Sequence, residues 1–415
     1  MPSIQNPQSA TTVFLDQPPS CLEFCPEAPD YFVVGTYLLS ETKTDEGEIE
    51  QAKTGSLQLW KLDPVSKELN QIQRIAVPYA VFDLHFHPTQ KNLFAIASSV
   101  GTVSLFQVDT AASTGTPSIT QLWTKQVHED PSIPALFLAW APQNWFPRCP
   151  ADGFAVTFSD SRTAVFGTQG DIRNDSLDEW GTFEAKQMIE VWFVALASIT
   201  GPDPTESRKT SMTPFMFTGN DFGSLHTRRF DATAELDDED DHISPMLLEH
   251  DDRARHHTAG VTAILPLPVS LTDDAPVLLT GSYDEGLRVY HASFRGEVLA
   301  EQYLDGGVWR LQLLDTARVM GSEDPKTVTE ISFLVLASCM HAGTRVVRVS
   351  LKQNDGSSEW DIEVLAKFTE HESMNYASGV WNFQNAGREE NQSSELLVVS
   401  SSFYDKRLCV WTANV

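Results

Sequence analysis

The chain has 415 residues, and 57 acidic against 29 basic side chains leave a formal net charge of −28 at pH 7. Its 23 Phe, 8 Tyr and 10 Trp residues and its 41% hydrophobic content suffice for a core, which excludes a disordered chain of this charge. The acidic balance argues against nucleic acid and anionic membrane as partners, because both would repel such a surface.

Short apolar runs bounded by Gly, Asp, Asn, Ser or Pro follow one another along the whole chain, and no stretch keeps a helical apolar period. This pattern predicts an all-β protein. One unit recurs seven times: an apolar run, a second run ending in a small residue, a tight turn with Asp or Gly, and a third run that usually ends in an aromatic residue. The clearest copy spans 256–293, and the last copy, at 395–413, aligns with its second half without a gap.

These units resemble WD repeats and predict one seven-bladed β-propeller domain, because a single four-stranded sheet cannot bury both of its faces. The last unit ends after its third run, so we expect the lone apolar run at 11–16 to complete that blade and close the ring. We expect a solvated acidic loop at 235–252. The approximate blades are 20–64, 79–109, 134–168, 188–231, 256–293, 306–351 and 371–415.

The cellular compartment is indicated by what the sequence lacks. No run approaches the roughly 18 apolar residues of a membrane-spanning helix, and the N-terminus lacks the basic and apolar regions of a signal peptide. The cysteines are scattered and form no CxxC pair, which argues against disulfides and a structural zinc site. We therefore expect a monomer in the cytoplasm or nucleus.

Common catalytic motifs are missing: there is no GxSxG, no GxxxxGK[ST], no GxGxxG after a strand and no HExxH. We expect no cofactor and no metal. His85 and His87 share one face of a strand, but no third metal ligand lies at a usable spacing, so we interpret both as structural. His257 is expected to bond to Asp284 in the tight turn of its blade, and Asp405 occupies the same turn in the last blade, so we interpret these three residues as structural too.

One face of a propeller gathers the turns between second and third strands and the loops that enter each innermost strand. Residues far apart in sequence therefore converge there around the central channel. Large or ionisable side chains at these positions predict a binding site, although each taken alone is equally explained as a packed or exposed side chain. The candidates are Glu190, Trp192, Tyr283, Glu285, Trp309, Arg310, Met340, His341, Tyr376, Phe403 and Tyr404.

Seven strings along the chain are more specific than a WD repeat. They are VVGTYLL (33–39), TGNDFGSLHTRRFD (218–231), HTAGV (257–261), TGSYDE (280–285), GGVWR (306–310), ASCMHAG (337–343) and SSFYDKRLCVW (401–411). Together, and in this order, they resemble the diphthine methyl ester hydrolase family, the WD-repeat proteins of the diphthamide pathway. The sequence departs from the family pattern at Ala185-Lys186, where the family tends to carry Ala-His.

The resemblance implies an esterase that acts on translation elongation factor 2. A modified histidine of that factor carries a trimethylated amino group and a methyl ester. Removing the methyl group as methanol leaves a carboxylate that is later amidated to diphthamide.

The resemblance and the residue chemistry together suggest roles for the candidate residues. Aromatic faces bind quaternary ammonium groups, so an aromatic cage is expected, with Glu285 as its counter-charge. His341 is the candidate general base, and Arg310 or the Tyr283 hydroxyl is the candidate oxyanion donor. Trp192 and Glu190 extend the substrate-binding surface. The cage residues are Tyr283, Trp309, Tyr376 and Tyr404.

A second function remains open from the sequence. Many WD-repeat propellers are non-catalytic adaptors that bind a peptide or protein at the channel mouth and scaffold a complex, and fold does not fix function. The two functions differ in whether the isolated protein turns over an ester.

Overall fold

The computed structural model describes residues 3–43, 49–110, 115, 117–146, 151–202, 210–232, 242–320, 328–354, 357–381 and 395–415. Every helix or strand assigned within these ranges is a β-strand. None of the described ranges contains a helix able to cross a lipid bilayer.

The first half of the chain forms fourteen strands. They are β1 (Thr11–Phe14), β2 (Pro19–Phe24), β3 (Tyr31–Thr36), β4 (Leu38–Lys43), β5 (Ile49–Leu62), β6 (Leu69–Val77), β7 (Val81–Phe86), β8 (Leu93–Ser98), β9 (Thr102–Asp109), β10 (Ser118–Gln126), β11 (Ala135–Trp140), β12 (Asp152–Phe158), β13 (Arg162–Thr168) and β14 (Asp178–Glu184).

Fifteen strands follow in the second half. They are β15 (Val191–Pro202), β16 (Thr210–Asn220), β17 (Leu225–Phe230), β18 (Met246–Asp251), β19 (Val261–Pro266), β20 (Val277–Ser282), β21 (Gly286–His291), β22 (Glu297–Tyr303), β23 (Arg310–Met320), β24 (Val328–Ser338), β25 (Thr344–Asn354), β26 (Ser357–Phe368), β27 (Ser378–Val380), β28 (Glu395–Ser402) and β29 (Arg407–Asn414).

The strands form seven antiparallel sheets, which are the blades of a propeller. From the channel outward, blade 1 contains β2, β3, β5 and β6, and β4 pairs with the first half of β5. Blades 2 to 6 each take four consecutive strands, beginning with β7, β11, β15, β19 and β23. Blade 7 runs β27, β28, β29 and β1. The predicted all-β, seven-bladed WD-type propeller is therefore confirmed.

The ring is closed by the N-terminal strand, as the sequence predicts. Strand β1 pairs antiparallel with β29, with Thr11 opposite Val410 and Phe14 opposite Arg407. Leu15 follows the strand and is buried in the core between blades 7 and 1. Blade 7 therefore contains a strand from near each end of the chain, and blades 7 and 1 cannot separate without breaking this strand pair.

The expectation of an acidic loop at 235–252 is wrong for its second half. Met246–Asp251 is β18, the outer strand of blade 4, paired with β17. Residues 233–241 lie outside the described residues. The approximate spans of blades 1 to 6 likewise stop short of their outer strands. These outer strands are half exposed, as is β22 with the sequence EVLAEQY. They therefore lack the apolar runs that predict the inner strands.

The core lies between blades, because the middle strands of each blade are covered on both faces. The whole of β8, with the sequence LFAIAS, is buried, which explains why it is a continuous apolar run rather than an alternating one. Neighbouring blades touch through aromatic residues, such as Phe137 of blade 3, stacked on Phe193 of blade 4 with ring centroids 4.1 Å apart.

Ring closure gives a first prediction. Leu15 is 7% exposed, and replacing a buried Leu by Ala removes packing and leaves a cavity, so Leu15→Ala should lower the free energy of unfolding by about 2–3 kcal/mol. Leu247 is 59% exposed, and Leu247→Ala is the matched control, expected to change stability by less than about 0.5 kcal/mol. Urea denaturation followed by tryptophan fluorescence measures the free energy of unfolding of both variants. Equal losses of stability in the two variants would contradict the role of residues 11–15 in closing the ring.

Candidate functional site

The three residues interpreted as structural lie in polar networks at the blade turns. The Nδ1 and Nε2 atoms of His257 lie 3.3 Å from Asp284 Oδ2 and 2.9 Å from Thr280 Oγ1. Burial opposes the charge on Asp284, but hydrogen bonds from His257 and Arg288 outweigh it and hold the pKa of Asp284 well below its usual range. In the last blade, Asp405 accepts a hydrogen bond from Ser402 and lies 3.3 Å from Arg407 Nε.

The innermost strands share an irregularity at their first residues that shapes the channel mouth. In blades 1 to 5 the pairing of the innermost strand skips its second residue, as between Val81 and Asp83 or between Val191 and Phe193. Such a bulge re-aims a side chain away from the regular alternation of the strand. The skipped residues of blades 2 and 4 are Phe82 and Trp192, and both take part in ring contacts at this end of the strands.

Seven aromatic rings from six blades form a continuous chain of contacts at the mouth, which we call the aromatic arc. All of its members except Phe82 and Trp192 lie in turns or loops at the ends of strands, and all seven are half-buried. In order around the ring, the contacts are Trp192–Tyr283 (centroids 6.2 Å apart), Tyr283–Trp309 (5.9 Å), Trp309–Tyr376 (5.1 Å), Tyr376–Phe403 (5.3 Å), Phe403–Tyr37 (6.0 Å) and Tyr37–Phe82 (5.4 Å).

Carboxylates lie beside one end of the aromatic arc. Asp221 Oδ1 accepts a hydrogen bond of 2.7 Å from Trp192 Nε1. Burial raises the pKa of Tyr283 above its usual range, and the negative charges of Asp221 and Glu190 raise it further. Glu285 follows in the same turn with a φ of 68°. The side chains of Glu190 and Glu285 make no hydrogen bond or ion pair with another described residue, so their charges remain available to a bound cation.

Arg310 lies directly beneath this end of the arc. Its Cζ atom is 4.6 Å from the ring centroids of both Trp309 and Phe137, and its Nη1 donates to the carbonyl oxygens of Trp309 and Thr262 at 2.9 and 3.2 Å. Burial lowers the pKa of Arg310, and the opposite charge of Asp83, 3.7 Å from Nη2, counteracts this. The guanidinium keeps its charge, since its pKa in water exceeds 12.

A cavity of about 300 Å³ continues from the mouth into the channel between blades 1, 2, 6 and 7. Arg310 and Tyr376 line it, and so does a charged cluster beneath them. His85 lies 3.1 Å from Glu23 Oε2 and 2.9 Å from Asp83 Oδ2. Burial disfavours a charged imidazole, but the two carboxylates outweigh it and raise the pKa of His85 to about 10. His85 is therefore an imidazolium at neutral pH.

Two of the predicted site residues lie apart from the arc's half-buried rings. His341 is exposed in the turn after β24 and makes no hydrogen bond or ion pair with another described residue. Tyr404 is 69% exposed, and its ring centroid lies 5.0 Å from that of Phe403. Within the described ranges, no group of three or more His, Cys, Asp or Glu side chains is arranged to hold a metal ion.

Tyr37, Phe82, Asp221 and the charged cluster belong to the site but were not predicted from the sequence. A positional signal existed for Phe82: it follows the first residue of the innermost strand of blade 2, as Trp192 does in blade 4. The cluster had no such signal, because Glu23 and His85 belong to different blades.

The charged cluster gives a prediction for pH dependence. A histidine whose pKa rises from 6.5 to about 10 on folding stabilises the fold fully below pH 6.5, and this contribution is lost as the pH rises through about 10. We expect His85→Gln to be less stable than wild type at pH 7, with the difference narrowing toward pH 10. Urea denaturation at several pH values measures the free energy of unfolding of each variant. His341→Gln, at an exposed position, should keep the wild-type dependence of stability on pH. If the loss of stability in His85→Gln were the same at every pH, His85 would not be a charged imidazolium.

Comparisons with known proteins place this geometry in context. The chain is 12% identical to the solved structure of Saccharomyces cerevisiae Sqt1, with a TM-score of 0.54 over 99% of this chain and 100% of that one. A chain from the Mitotic Checkpoint Complex gives 12% identity and a TM-score of 0.53, over 99% and 96% of the two chains. At such low identity these structures support the propeller fold alone. No protein-family model matches the chain.

Two curated relatives carry more information. A Schizosaccharomyces pombe protein named diphthine methyltransferase is 34% identical over 156 residues, which cover 37% of this chain and 38% of that protein's length. The diphthine methyltransferase homolog of Dictyostelium discoideum is 22% identical over 421 aligned positions, covering 96% and 98%. These matches confirm that the chain resembles the WD-repeat proteins that are named diphthine methyltransferase.

Proposed function

We propose that this protein acts in diphthamide biosynthesis and hydrolyses the methyl ester of the diphthine intermediate on translation elongation factor 2. The reaction releases methanol and leaves the carboxylate that is amidated to diphthamide. The observation that carries the proposal is the acid-flanked end of the aromatic arc, formed by Trp192, Tyr283 and Trp309. We further propose that the protein works as a monomer in the cytoplasm and that its partner is the modified factor.

This end of the arc suits a trimethylammonium group. Such a cation cannot donate hydrogen bonds, so it is held by aromatic faces and by uncompensated negative charge, with each aromatic contact contributing about 0.5–2 kcal/mol. The three rings lie 5.8 to 6.2 Å apart. The charges of Asp221 and Glu190 act on Tyr283, and we propose Glu285 as a further counter-charge. An anionic ligand would be repelled by these carboxylates.

The proposed chemical step uses the residues that the sequence predicts for it. A base removes a proton from water as the oxygen attacks the ester carbonyl, and a donor stabilises the resulting oxyanion. Collapse of the tetrahedral intermediate breaks the bond to the methoxy oxygen, which takes up a proton and leaves as methanol. His341 is the proposed base. The Tyr283 hydroxyl, kept protonated by its raised pKa, and the Arg310 guanidinium are the proposed donors.

The relatives' names speak of methyl transfer, so the test must separate hydrolysis from transfer. Purified protein is incubated with methyl-esterified elongation factor 2, with and without S-adenosylmethionine, and methanol and the mass of the factor are measured. We expect methanol release and loss of the ester in both arms. Gain of a methyl group only with S-adenosylmethionine would identify a transferase. Tight binding with neither reaction would identify the adaptor function.

The cation site formed by Trp192, Tyr283 and Trp309 gives a prediction for substrate binding. Trp309→Leu removes a π face and should raise KM for the methyl-esterified factor by about 2- to 30-fold, the range expected for one cation–π contact. Phe294→Leu is the control and should leave KM unchanged, because Phe294 is 74% exposed in the turn between β21 and β22, at the opposite end of β21 from Tyr283. An unchanged KM for Trp309→Leu would remove this ring from the cation site.

The base assignment gives a prediction for turnover. Removing a general base costs about 10²- to 10⁴-fold in rate, so His341→Ala should lower kcat by at least about 100-fold with KM nearly unchanged. Methanol release under saturating factor measures it, and the thermal unfolding of the variant checks that it is folded. Wild-type kcat in the variant would show that another group activates the water.

A further inference from the structure

The aromatic arc is longer than one cation requires. Beyond Trp309 it continues through four more rings, which we call the neutral arm: Tyr376, Phe403, Tyr37 and Phe82. These rings come from blades 7, 1 and 2, across the channel from the carboxylates of blades 4 and 5. A trimethylammonium group in contact with Trp192, Tyr283 and Trp309 leaves the neutral arm unoccupied.

The two ends of the arc differ in charge. The pKa of Tyr283 is raised by burial and by Asp221 and Glu190, whereas that of Tyr376 is raised by burial and by Tyr404, with no carboxylate contributing. The same holds for Tyr37. A cation therefore gains less on the neutral arm than on the acid-flanked end.

Asp83, Asp405 and Glu372 are close in sequence to rings of the neutral arm, and all three are paired with cations. Asp83 follows Phe82 directly and lies 2.9 Å from His85 Nε2. Asp405, two residues after Phe403, lies 3.3 Å from Arg407 Nε, and Glu372 Oε1 lies 2.8 Å from Arg407 Nη2. Asp16, in the segment before β2, forms a 2.8 Å ion pair with Arg74. Glu190 and Glu285, at the other end, have no such cation among the described residues. The contrast in charge thus has a structural basis.

We propose that the neutral arm is a second subsite, which binds a neutral planar ring attached to the cation. This inference rests on the proposed function, whose substrate is a modified histidine, and it assigns the imidazole ring of that histidine to the neutral arm. Aromatic rings attract one another in edge and offset arrangements at centroid distances of 4.5–7 Å. The subsites meet at Trp309 and Tyr376, with ring centroids 5.1 Å apart, so one short side chain spans both.

The test compares a ligand that has both groups with a ligand that has only the cation. KM is measured for methyl-esterified elongation factor 2, and the inhibition constant is measured for tetramethylammonium, which carries no ring. We expect Phe403→Leu to raise the ratio of KM to inhibition constant about 3- to 10-fold, because leucine keeps the bulk and loses the π face. Trp309→Leu should weaken both ligands and leave the ratio near its wild-type value.

Two further variants test whether an effect on the ratio comes from loss of an aromatic face or from a destabilised fold. Tyr37→Phe keeps the face and should keep the wild-type ratio, whereas Tyr37→Leu should raise it as Phe403→Leu does. Phe294→Leu is the matched control outside the arc. Thermal unfolding of each variant identifies any that are destabilised.

The outcomes distinguish this inference from the proposed function. If wild-type protein releases methanol but Phe403→Leu and Tyr37→Leu leave the ratio unchanged, the subsite is wrong and the hydrolase stands. If both variants weaken tetramethylammonium as strongly as the factor, the neutral arm is part of the cation site and the inference is overturned. If wild-type protein releases no methanol, the proposed function fails. The subsite is then tested with the dissociation constants of the same two ligands, used in place of KM and the inhibition constant.

Discussion

Burial of both faces of every blade against its neighbours is the constraint on which this structure depends. The middle strands are covered on both sides, as β8 shows, and a single four-stranded sheet has no means of covering itself. The ring supplies a neighbour for each blade, and the pairing of β1 with β29 completes the last blade. Because the two ends of the chain meet in that blade, stability of the whole ring is coupled to one short strand and to Leu15 behind it.

The same closure builds the channel mouth. Rings separated by as much as 366 positions, Tyr37 and Phe403, come within 6.0 Å because blades 1 and 7 are neighbours. The bulges at the starts of the innermost strands turn Phe82 and Trp192 into the same layer as the loop residues. The site is thus assembled from strand ends whose positions are set by a rigid scaffold, while the surface loops are free to vary.

Charge is distributed in layers from the mouth to the interior. At the mouth, Glu190 and Glu285 have no cationic partner among the described residues, which suits a ligand that brings its own positive charge. In the channel below, Asp83 and Glu23 are compensated by His85 and Arg310. Buried charges are tolerated only when they are paired, so the inner layer is stable without a ligand. The carboxylates of the outer layer have no such partner, so a cationic ligand is bound favourably there.

The all-β class, the sevenfold repeat, the closure of the ring by residues 11–16 and the convergence of Tyr283, Trp309 and Tyr376 on one face could be predicted from the sequence. Apolar runs and turn residues encode which strands are buried and where they end, and these are local properties. The half-exposed outer strands lack such runs and could not be predicted. The folded ring was needed to show that Tyr37 and Phe82 extend the arc, that His341 lies exposed, and that Glu23 and Asp83 make His85 an imidazolium. Those properties depend on distances between blades, which are set by how seven sheets pack in a ring and leave no periodic trace in the chain.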